Sequence, residues 1–281
     1  MKYIFYNPKS NSNHTNNAVE YVQGIIGEAQ LFDVTTIKYA DKLAELSETD
    51  EIYIVGGDGT LNYFVNAVDG NTIKQNVYFY SAGTGNDFAR DLGVKENLDS
   101  NGIIKVNDYI KNLPTVTVNG KTQKFINGIG YGLDGMCCQI GDDLRAKGAD
   151  NINYTSIAIK LLLFKYKPKN AKVIVDGKEY SFKNVWILPT MKGRYYGGGL
   201  MVAPNQDRSA ADGKVTVVVY ASRSRLKSFF CFPKLSKGTH SNLKMVTMLT
   251  GKDIYVEYDK PTALQIDGET VRDVLNYTVK A

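Results

Sequence analysis

"DEIYIVGGDGTLNYFVNAV", residues 50–68, contains two patterns of secondary structure joined by glycines. The apolar run before the glycines predicts a buried strand, and "GTLNYFVNAV" after them predicts a helix. Gly56, Gly57 and Gly59 allow a ligand to come close to the backbone. The helix would then present its first N–H groups and its positive dipole end to an anion such as phosphate. The stretch therefore predicts a strand, a phosphate-binding loop and a helix in succession.

Asp58 is unexpected in a loop that only binds an anion, because its carboxylate would repel a phosphate. Two roles would explain it: holding Mg²⁺, or accepting a proton during phosphoryl transfer. The alternative is a tight turn in which the aspartate only caps the helix. The P-loop pattern GxxxxGK[ST] is absent from the sequence.

The same alternation of strand and helix continues on both sides of this stretch. Strands are predicted at "KYIFYNP", "AQLFDVTTI" and "NVYFYSAG", and helices at "HTNNAVEYVQGIIGEA" and "ADKLAELSE". This rhythm is typical of a parallel sheet covered by helices. Ligands of such sheets bind at the carboxyl ends of the strands. The turns "NPKSN", "GGDGT" and "GTGND" are therefore expected to converge on one crevice.

The turn "GTGNDFAR", residues 83–90, is the second candidate for ligand binding. Thr84 and Asn86 offer uncharged hydrogen-bonding groups beside two glycines. The alternative is an ordinary capped helix start, in which Arg90 pairs with Asp87 or Asp91. We assign Asn86, Asp87 and Arg90 to substrate binding.

From about residue 115 the apolar residues alternate with a period of two, as in "TVTVNGKTQKFINGIG" and "NAKVIVDGKEYSFKNVWILPT". The triplets "NGK" and "DGK" indicate hairpin turns. Helical stretches are predicted only around 151–164 and 223–237. The sequence thus predicts an α/β fold with two domains, a parallel-sheet nucleotide-binding domain at 1–114 and a β-rich, mostly antiparallel domain at 115–281.

Three further motifs lie in the second half. "GYGLDG" (130–135) satisfies GxGxxG, but its β-rich context does not match a dinucleotide site. "QIDGET" (265–270) places Asp267 and Glu269 around a glycine, and its alternative is a plain hairpin turn. "SRSRLKSFFCFPKLSKG" (222–238) mixes basic and aromatic residues, which suits either a membrane interface or a helix packed in the core.

Composition is that of a soluble globular protein of 281 residues, with 43% hydrophobic and 22% charged residues. We expect no transmembrane helix, signal peptide, disulfide framework or cysteine metal site, and therefore a cytoplasmic protein. The net charge of +5 suits an anionic membrane, a polyphosphate or nucleic acid. Because no helix-turn-helix, zinc or RNA-binding signature accompanies the charge, nucleic acid is not expected as a partner.

Taken in order, "NPKSN", "GGDGTLN", "GTGNDFAR", "NGIGYGLDG", "ADGKV" and "QIDGE" resemble the diacylglycerol kinase catalytic-domain family over nearly the whole chain. This family includes bacterial soluble lipid kinases and sphingosine kinases. GGDGT is shared with NAD kinases, whereas GTGNDFAR favours the lipid kinases. The resemblance implies an active site in the cleft between the two domains, with ATP and Mg²⁺ as cofactors.

The resemblance also implies roles for individual residues. Glu269 would be the general base. Beside it we expect two further catalytic residues: Asp58, which would act with a catalytic Mg²⁺, and Asp267, which would orient Glu269 or bind metal. Asp212 would hold a structural Mg²⁺ together with the carbonyl groups of Ser209 and Lys214. Asn11 stands where the family usually has glycine, and asparagine also tolerates the left-handed conformation. The implied ATP contacts are Asn7, Pro8, Lys9, Ser10, Asn11, Thr36, Gly56, Gly57, Asp58, Gly59, Thr60, Leu61, Asn62 and Thr84.

The sequence therefore predicts an ATP-dependent kinase of a lipid hydroxyl, with diacylglycerol as the expected acceptor. Such an enzyme would associate peripherally with the cytoplasmic face of the membrane, and a homodimer is left open. Two alternatives remain: a kinase of a soluble substrate, similar to NAD kinases, and a nucleotide- or lipid-binding regulator without catalysis. No motif in the sequence identifies the lipid.

Overall fold

The computed structural model describes residues 1–8, 12–93, 101–149 and 151–281 of the chain. Within these ranges the chain divides into two compact units, Met1–Leu113 and Pro114–Ala281. No helix in the described ranges is long and apolar enough to cross a bilayer.

The first unit alternates strands and helices around a five-stranded sheet with the order β2-β1-β3-β4-β5. Strands β1 to β4 pair in parallel, which confirms the predicted parallel sheet, and β5 pairs antiparallel with β4 at the edge. The short strand β5 was not predicted, because three residues show no period. In chain order the elements are β1 (Lys2–Tyr6), α1 (Ser12–Ile26), β2 (Gln30–Asp33), α2 (Tyr39–Ala44), β3 (Glu51–Gly56), α3 (Asp58–Ala67), β4 (Asn76–Ser81), α4 (Asp87–Asp91), β5 (Ile103–Lys105) and a 3₁₀ turn (Asn107–Tyr109).

The strand order reverses at β1, which pairs with β2 on one side and with β3 on the other. In open α/β sheets, ligands bind beside such a reversal, at the carboxyl ends of the strands. The chain leaves β1 at Tyr6 and β3 at Gly56, and their neighbour β4 ends at Ser81. The fold therefore brings "GGDGT", "GTGND" and the first two residues of "NPKSN", Asn7 and Pro8, to one edge of the sheet, while residues 9–11 lie outside the described ranges.

A buried aromatic pair fixes the helix that follows β4. The rings of Phe79 on β4 and Phe88 on α4 are both fully buried, with centroids 5.9 Å apart in an edge-to-face arrangement. Burying a phenylalanine side chain stabilises a fold by about 1.5 to 3 kcal/mol. This packing sets the position of the five-residue helix α4 and hence of the turn before it.

The second unit is built on a ten-stranded sheet in which all pairings are antiparallel, as predicted. The long strand β16 pairs with β9 along its first half and with β8 along its second half. In chain order the elements are β6 (Thr115–Val118), β7 (Lys121–Lys124), β8 (Gly128–Tyr131), α5 (Leu133–Ala146), α6 (Tyr154–Lys160), a π-helical segment (Leu161–Lys165), β9 (Lys169–Val175), β10 (Lys178–Ile187), β11 (Thr190–Met191), β12 (Tyr195–Tyr196), β13 (Leu200–Met201), β14 (Val215–Ala221), α7 (Arg225–Cys231), 3₁₀ turns (Phe232–Leu235 and Thr239–Asn242), β15 (Val246–Gly251), β16 (Asp253–Ile266) and β17 (Glu269–Lys280).

Both predicted hairpin turns are confirmed. "NGK" joins β6 to β7 and "DGK" joins β9 to β10, each through two residues of positive φ. Asn119 and Asp176 occupy the first of these positions, and a glycine follows each of them. Positive φ at both central residues is the requirement of the type I′ turns that close two-residue hairpins.

The helix α5 was not predicted and corrects our reading of this half, which had placed helices only at 151–164 and 223–237. Its buried side contains small residues, among them Gly135 and Gly141. A Cβ at Gly141 would lie 2.6 Å from the ring of Tyr154, so the close packing of α5 and α6 requires a glycine there. Glycine lowers helix propensity and has no apolar side chain, so these positions do not contribute to a helical pattern of apolar residues.

Candidate active site

The two glycine turns of the first unit lie in direct contact. A Cβ built on Gly57 would lie 3.1 Å from the Cα of Gly83, so the backbones touch where each residue has only hydrogen. Beside this contact the N–H of Ala82 donates to the carbonyl oxygen of Gly56 at 2.9 Å. "GGDGT" and "GTGND" therefore form one structural element rather than two separate loops.

Asp58 connects the same two turns through its side chain. One carboxylate oxygen accepts the N–H of Asp87 at 2.8 Å, and the other accepts the N–H of Phe88 at 3.1 Å. These N–H groups belong to the start of α4, where intrahelical partners are lacking. The carboxylate in the phosphate-binding motif thus has a structural role, because it caps the helix of the neighbouring turn.

The N-terminus of α3 is open to solvent at Gly59. A Cβ built on this exposed glycine would have no atom within 4 Å. The chain closes into the helix through bonds from the N–H groups of Thr60 and Leu61 to the Gly57 carbonyl oxygen, at 3.0 and 3.3 Å. A ten-residue helix that begins in this way offers N–H groups and a positive dipole end to an anion.

A groove of about 360 Å³ lies between α1 and the end of β4. Tyr21 and Tyr80, with ring centroids 5.5 Å apart, form part of its wall. The hydroxyl oxygen of Ser81, also in the wall, is buried and has no hydrogen-bond partner in the described part of the chain. No local pattern in the sequence predicts this groove, because its walls come from two distant segments. The remaining lining residues are Asn17, Ala18, Ala82 and Gly83.

The residues assigned to substrate binding occupy the start of α4. Asn86 has the left-handed conformation, with φ 53° and ψ 38°, and its side-chain oxygen is buried without a hydrogen-bond partner in the described ranges. Asp87 is buried, whereas Arg90 is exposed and donates to the carbonyl oxygen of Gly85 at 3.5 Å. The three residues lie on one turn but face different surroundings.

The remaining predicted nucleotide contacts are less closely gathered. Thr36 is exposed after β2, and its hydroxyl donates to the carbonyl oxygen of Asp33 at 2.9 Å. Thr84 is exposed in the second glycine turn. Asn7 and Pro8 follow β1, while the predicted contacts at 9–11 lie outside the described residues.

In the second unit the "QIDGET" motif is a hairpin turn, and it contains Glu269, the predicted general base. Asp267 and Gly268, with φ of 47° and 98°, form the two-residue turn between Ile266 and Glu269. The Asp267 carboxylate accepts three backbone N–H groups, from Ile126 at 2.6 Å and from Asn127 and Gly128 at 2.9 Å each. It therefore fixes the turn to the start of β8.

Glu269 follows this turn as the first residue of β17, and it is exposed. A second side chain supports the turn from below, since buried Gln265 accepts the N–H of Gly268 at 2.6 Å. The carboxylate of Glu269 is thus exposed to solvent at the end of a turn that hydrogen bonds hold in place.

Asp134 is a carboxylate close to this site that the sequence did not single out. It lies in the first turn of α5 and accepts the hydroxyl of Tyr196 at 2.9 Å. Burial raises its pKa from 3.8 to about 6, although the hydrogen bond from Tyr196 opposes the rise. Burial and then the charge of Asp134 raise the pKa of Cys138 to about 12, and Glu269 adds to this rise. A carboxylate directly after a strand and at a helix start was the available signal.

The loop predicted to hold a structural Mg²⁺ is closed by protein groups. Asp212 accepts the backbone N–H of Lys214 at 3.2 Å and pairs with its ammonium at 3.1 Å. The carbonyl oxygen of Lys214, a predicted ligand, accepts the side-chain amide of Gln206 at 2.9 Å. The described ranges contain no group of three or more acidic, histidine or cysteine side chains that would hold a metal. The structural Mg²⁺ at Asp212, Ser209 and Lys214 stays a prediction.

Arg208, in the same loop, approaches the segment that Asp267 binds. Its guanidinium is buried and donates to the carbonyl oxygen of Ile126 at 3.1 Å and to the side-chain oxygen of Asn127 at 2.9 Å. Lys192 is buried nearby, and burial followed by the charge of Arg208 lowers its pKa. A carboxylate and a guanidinium thus hold the 126–128 segment through its N–H and C=O groups respectively.

Family models match both units of the chain. The family described as "Diacylglycerol kinase catalytic domain" matches residues 2–118, and "YegS C-terminal NAD kinase beta sandwich-like domain" matches residues 127–278. A protein of Mycobacterium tuberculosis (strain CDC 1551 / Oshkosh) named "Diacylglycerol kinase" is 28% identical over 213 residues, which cover 74% of this chain and 67% of the relative. The crystal structure of a diacylglycerol kinase from Bacillus anthracis str. Sterne superposes with a TM-score of 0.67 at 20% identity, over 99% of this chain and 93% of the other.

Proposed function

This chain belongs to the family of the diacylglycerol kinase catalytic domain, and we propose that it transfers the γ-phosphate of ATP to the hydroxyl group of a lipid, with diacylglycerol as the acceptor. The observation that carries the proposal is the contact between the two glycine turns at Gly57 and Gly83, beside the open start of α3. A relative named as a diacylglycerol kinase supports this choice of acceptor.

The first unit would bind the nucleotide. The phosphates would lie at the N-terminus of α3, where Gly59 leaves room and the helix dipole attracts negative charge. Lys9 after β1 would add a positive charge. Mg²⁺ would arrive with ATP and offset the phosphate charge during transfer. Because both oxygens of Asp58 accept N–H groups of α4, its part in our proposal is to hold the two turns in register.

Glu269 in the second unit would act as the general base. A lipid hydroxyl is a poor nucleophile at neutral pH, so removal of its proton assists the attack. In the proposed step the carboxylate takes this proton as the hydroxyl oxygen bonds to the γ-phosphorus, and the bond from that phosphorus to the ADP oxygen breaks. Asp267 would position the base through the three N–H groups that it accepts.

The proposed enzyme would work on the cytoplasmic face of the membrane, where its substrate resides. Peripheral association follows from the substrate, and the homodimer stays a prediction. One observation favours a second candidate function: the family description of the second unit names an NAD kinase sandwich. Phosphorylation of NAD⁺ is therefore the alternative that an assay must include.

The test is transfer of radiolabelled phosphate from ATP by the purified chain to separate acceptors. Diacylglycerol, monoacylglycerol, a sphingoid base and NAD⁺ would be offered, each with Mg²⁺. We expect label on diacylglycerol, recovered as phosphatidic acid. Label on NAD⁺ alone would replace the lipid kinase with the second candidate. ATP binding without transfer to any acceptor would support a regulator instead.

A further inference from the structure

The positive charge of the chain is concentrated in two segments of the second unit, 151–175 and 213–252. Together they contain 13 of the 34 lysines and arginines and none of the 29 carboxylates. The other residues, with 21 basic and 29 acidic side chains, carry a net charge of −8. The positive net charge of +5 therefore comes entirely from these two segments, and the rest of the chain is acidic.

The same two segments carry the most exposed large hydrophobic side chains beyond the N-terminal methionine. Phe164, in the π-helical segment, is 76% exposed, and Phe230 and Leu226 on α7 are 71% and 65% exposed. Leu226 and Phe230 are four residues apart, so they share one face of α7. These three side chains are mostly exposed to solvent, whereas their apolar neighbour Phe229 packs against the core.

The elements that carry these side chains are neighbours. The guanidinium of Arg225, the first residue of α7, donates to the carbonyl oxygen of Leu162 at 2.5 Å and to that of Tyr166 at 2.8 Å. The same group stacks over the ring of Trp186 at 5.1 Å. Arg225 therefore binds α7 to the π-helical segment and brings their exposed side chains into one region of the surface.

We propose that this region is a membrane-docking face, in which Phe164, Leu226 and Phe230 enter the interface of an anionic phospholipid bilayer. Lys160, Lys165 and Lys227, all exposed, would bind the lipid headgroups. The inference rests on the proposed lipid kinase function and names the surface through which that enzyme reaches its substrate.

Two features select a bilayer as the occupant. Apolar side chains surrounded by flexible lysines are typical of segments that lie in a membrane interface, since the lysine stems contact the acyl region and their ammonium groups reach the headgroups. The absence of carboxylates from both segments removes the repulsion that an anionic surface would otherwise meet. The phosphate backbone of a nucleic acid duplex would contact the lysines, whereas a bilayer interface also buries two phenylalanines and a leucine.

The experiment measures sedimentation of the full chain with phosphatidylcholine vesicles that do or do not contain phosphatidylglycerol. We expect binding only to the anionic vesicles. The triple variant Phe164→Ser, Leu226→Ser and Phe230→Ser should bind at least about tenfold more weakly, because apolar burial is lost. The triple variant Lys160→Gln, Lys165→Gln and Lys227→Gln should lose about fivefold per lysine at low ionic strength, and less in high salt.

Controls come from exposed leucines and lysines outside the two segments. Leu31→Ser combined with Leu275→Ser removes exposed apolar side chains from β2 and β17. Lys121→Gln, Lys178→Gln and Lys183→Gln together remove three exposed charges from β7 and β10. Both controls should bind the vesicles as the unaltered chain does, and thermal unfolding should show that every variant is folded.

Two results would overturn the docking face: unchanged vesicle binding by both test variants, or a loss in the lysine variant alone together with binding to double-stranded DNA. Activity separates this inference from the proposed function. The apolar variant should still phosphorylate a soluble short-chain diacylglycerol while losing activity on vesicles. If the unaltered chain phosphorylates no lipid but vesicle binding still depends on Phe164 and Phe230, the kinase proposal fails and the docking face stands.

Discussion

The carboxylate of Asp58 and the backbone N–H of Asp87 are joined by a hydrogen bond of 2.8 Å, although the residues follow different strands of the sheet. A second bond, to the N–H of Phe88, makes the contact bidentate. The carboxylate of Asp58 therefore accepts the first N–H groups of α4, at the helix end where the dipole favours a negative charge.

This contact predicts that Asp58→Asn lowers the stability of the fold as well as the enzymatic activity. Asparagine offers one acceptor, and its amide group would face an N–H donor that the carboxylate had accepted. Hydrogen bonds to charged groups contribute about 1.5 to 3 kcal/mol, so we expect the free energy of unfolding to fall by about that amount. Urea unfolding measures it, with Asp41→Asn, an exposed aspartate of α2, as the control. Unchanged stability together with an altered Mg²⁺ requirement would indicate instead that Asp58 binds Mg²⁺.

Gly59 provides a test of nucleotide binding that leaves the two turns in place. Gly59→Ala adds a methyl group into open space and should leave stability unchanged or slightly higher, because alanine favours helices. If phosphate approaches this backbone, ATP affinity measured by calorimetry should fall about tenfold, or 1.4 kcal/mol. Gly57→Ala is less informative, since its Cβ would press on Gly83 at 3.1 Å and disturb both turns.

The control for Gly59→Ala is Gly24→Ala in α1, where an added Cβ also meets nothing within 4 Å. It changes helix propensity in the same direction without touching the glycine turns. Equal ATP affinity in the Gly59 and Gly24 variants would place the phosphates elsewhere.

Asp134 predicts a dependence of stability on pH. Its pKa is raised from 3.8 to about 6 in the folded protein, so between these values the folded state binds more protons than the unfolded state. The contribution of Asp134 to stability is thus fully present below pH 3.8 and is lost as the pH rises through about 6. Asp134→Asn removes this loss. Well above pH 6 it should increase the free energy of unfolding by up to about 3 kcal/mol, at 1.36 kcal/mol per pKa unit.

Urea unfolding on both sides of pH 6 measures this effect, and the gain should disappear well below that pH. Asp142→Asn is the control, since that carboxylate lies on the same helix but pairs with Arg145 at 3.0 Å. A variant at 134 that loses stability equally at both pH values would show that the carboxylate serves only as the acceptor for Tyr196.

The framework of the fold could be predicted because its signals are local. The strand and helix around GGDGT show their periods within about ten residues, and the "NGK" and "DGK" turns need only their own backbone conformation. The convergence of the turns follows from the general rule for parallel sheets. Helix α5 was missed because its buried positions after Leu133 are glycine and cysteine, whose identity is decided by the elements that pack on it.

The contacts of the site could not be predicted, because they join distant residues. Nothing near Asp267 in the sequence indicates that it accepts N–H groups at 126–128, 139 to 141 residues away. The sequence also could not decide whether "SRSRLKSFFCFPKLSKG" packs in the core or lies in a membrane interface. In the structure Phe229 packs against the core while Phe230, its neighbour, is exposed.

Asp267 and Glu269 should behave differently on substitution, because one holds the turn and the other is exposed at its end. Glu269→Gln should leave the free energy of unfolding within about 0.5 kcal/mol, as is usual at exposed positions. It should lower kcat by about 10² to 10⁴, the typical contribution of a general base, with little change in ATP affinity. Asp267→Asn should cost about 1.5 to 3 kcal/mol of stability, since it weakens charged hydrogen bonds. Asp273→Asn on the same strand is the control: its φ of 53° suits asparagine, and neither quantity should change. A Glu269→Gln enzyme with normal kcat would require another base, whereas a loss of stability equal to that of Asp267→Asn would make Glu269 a structural residue.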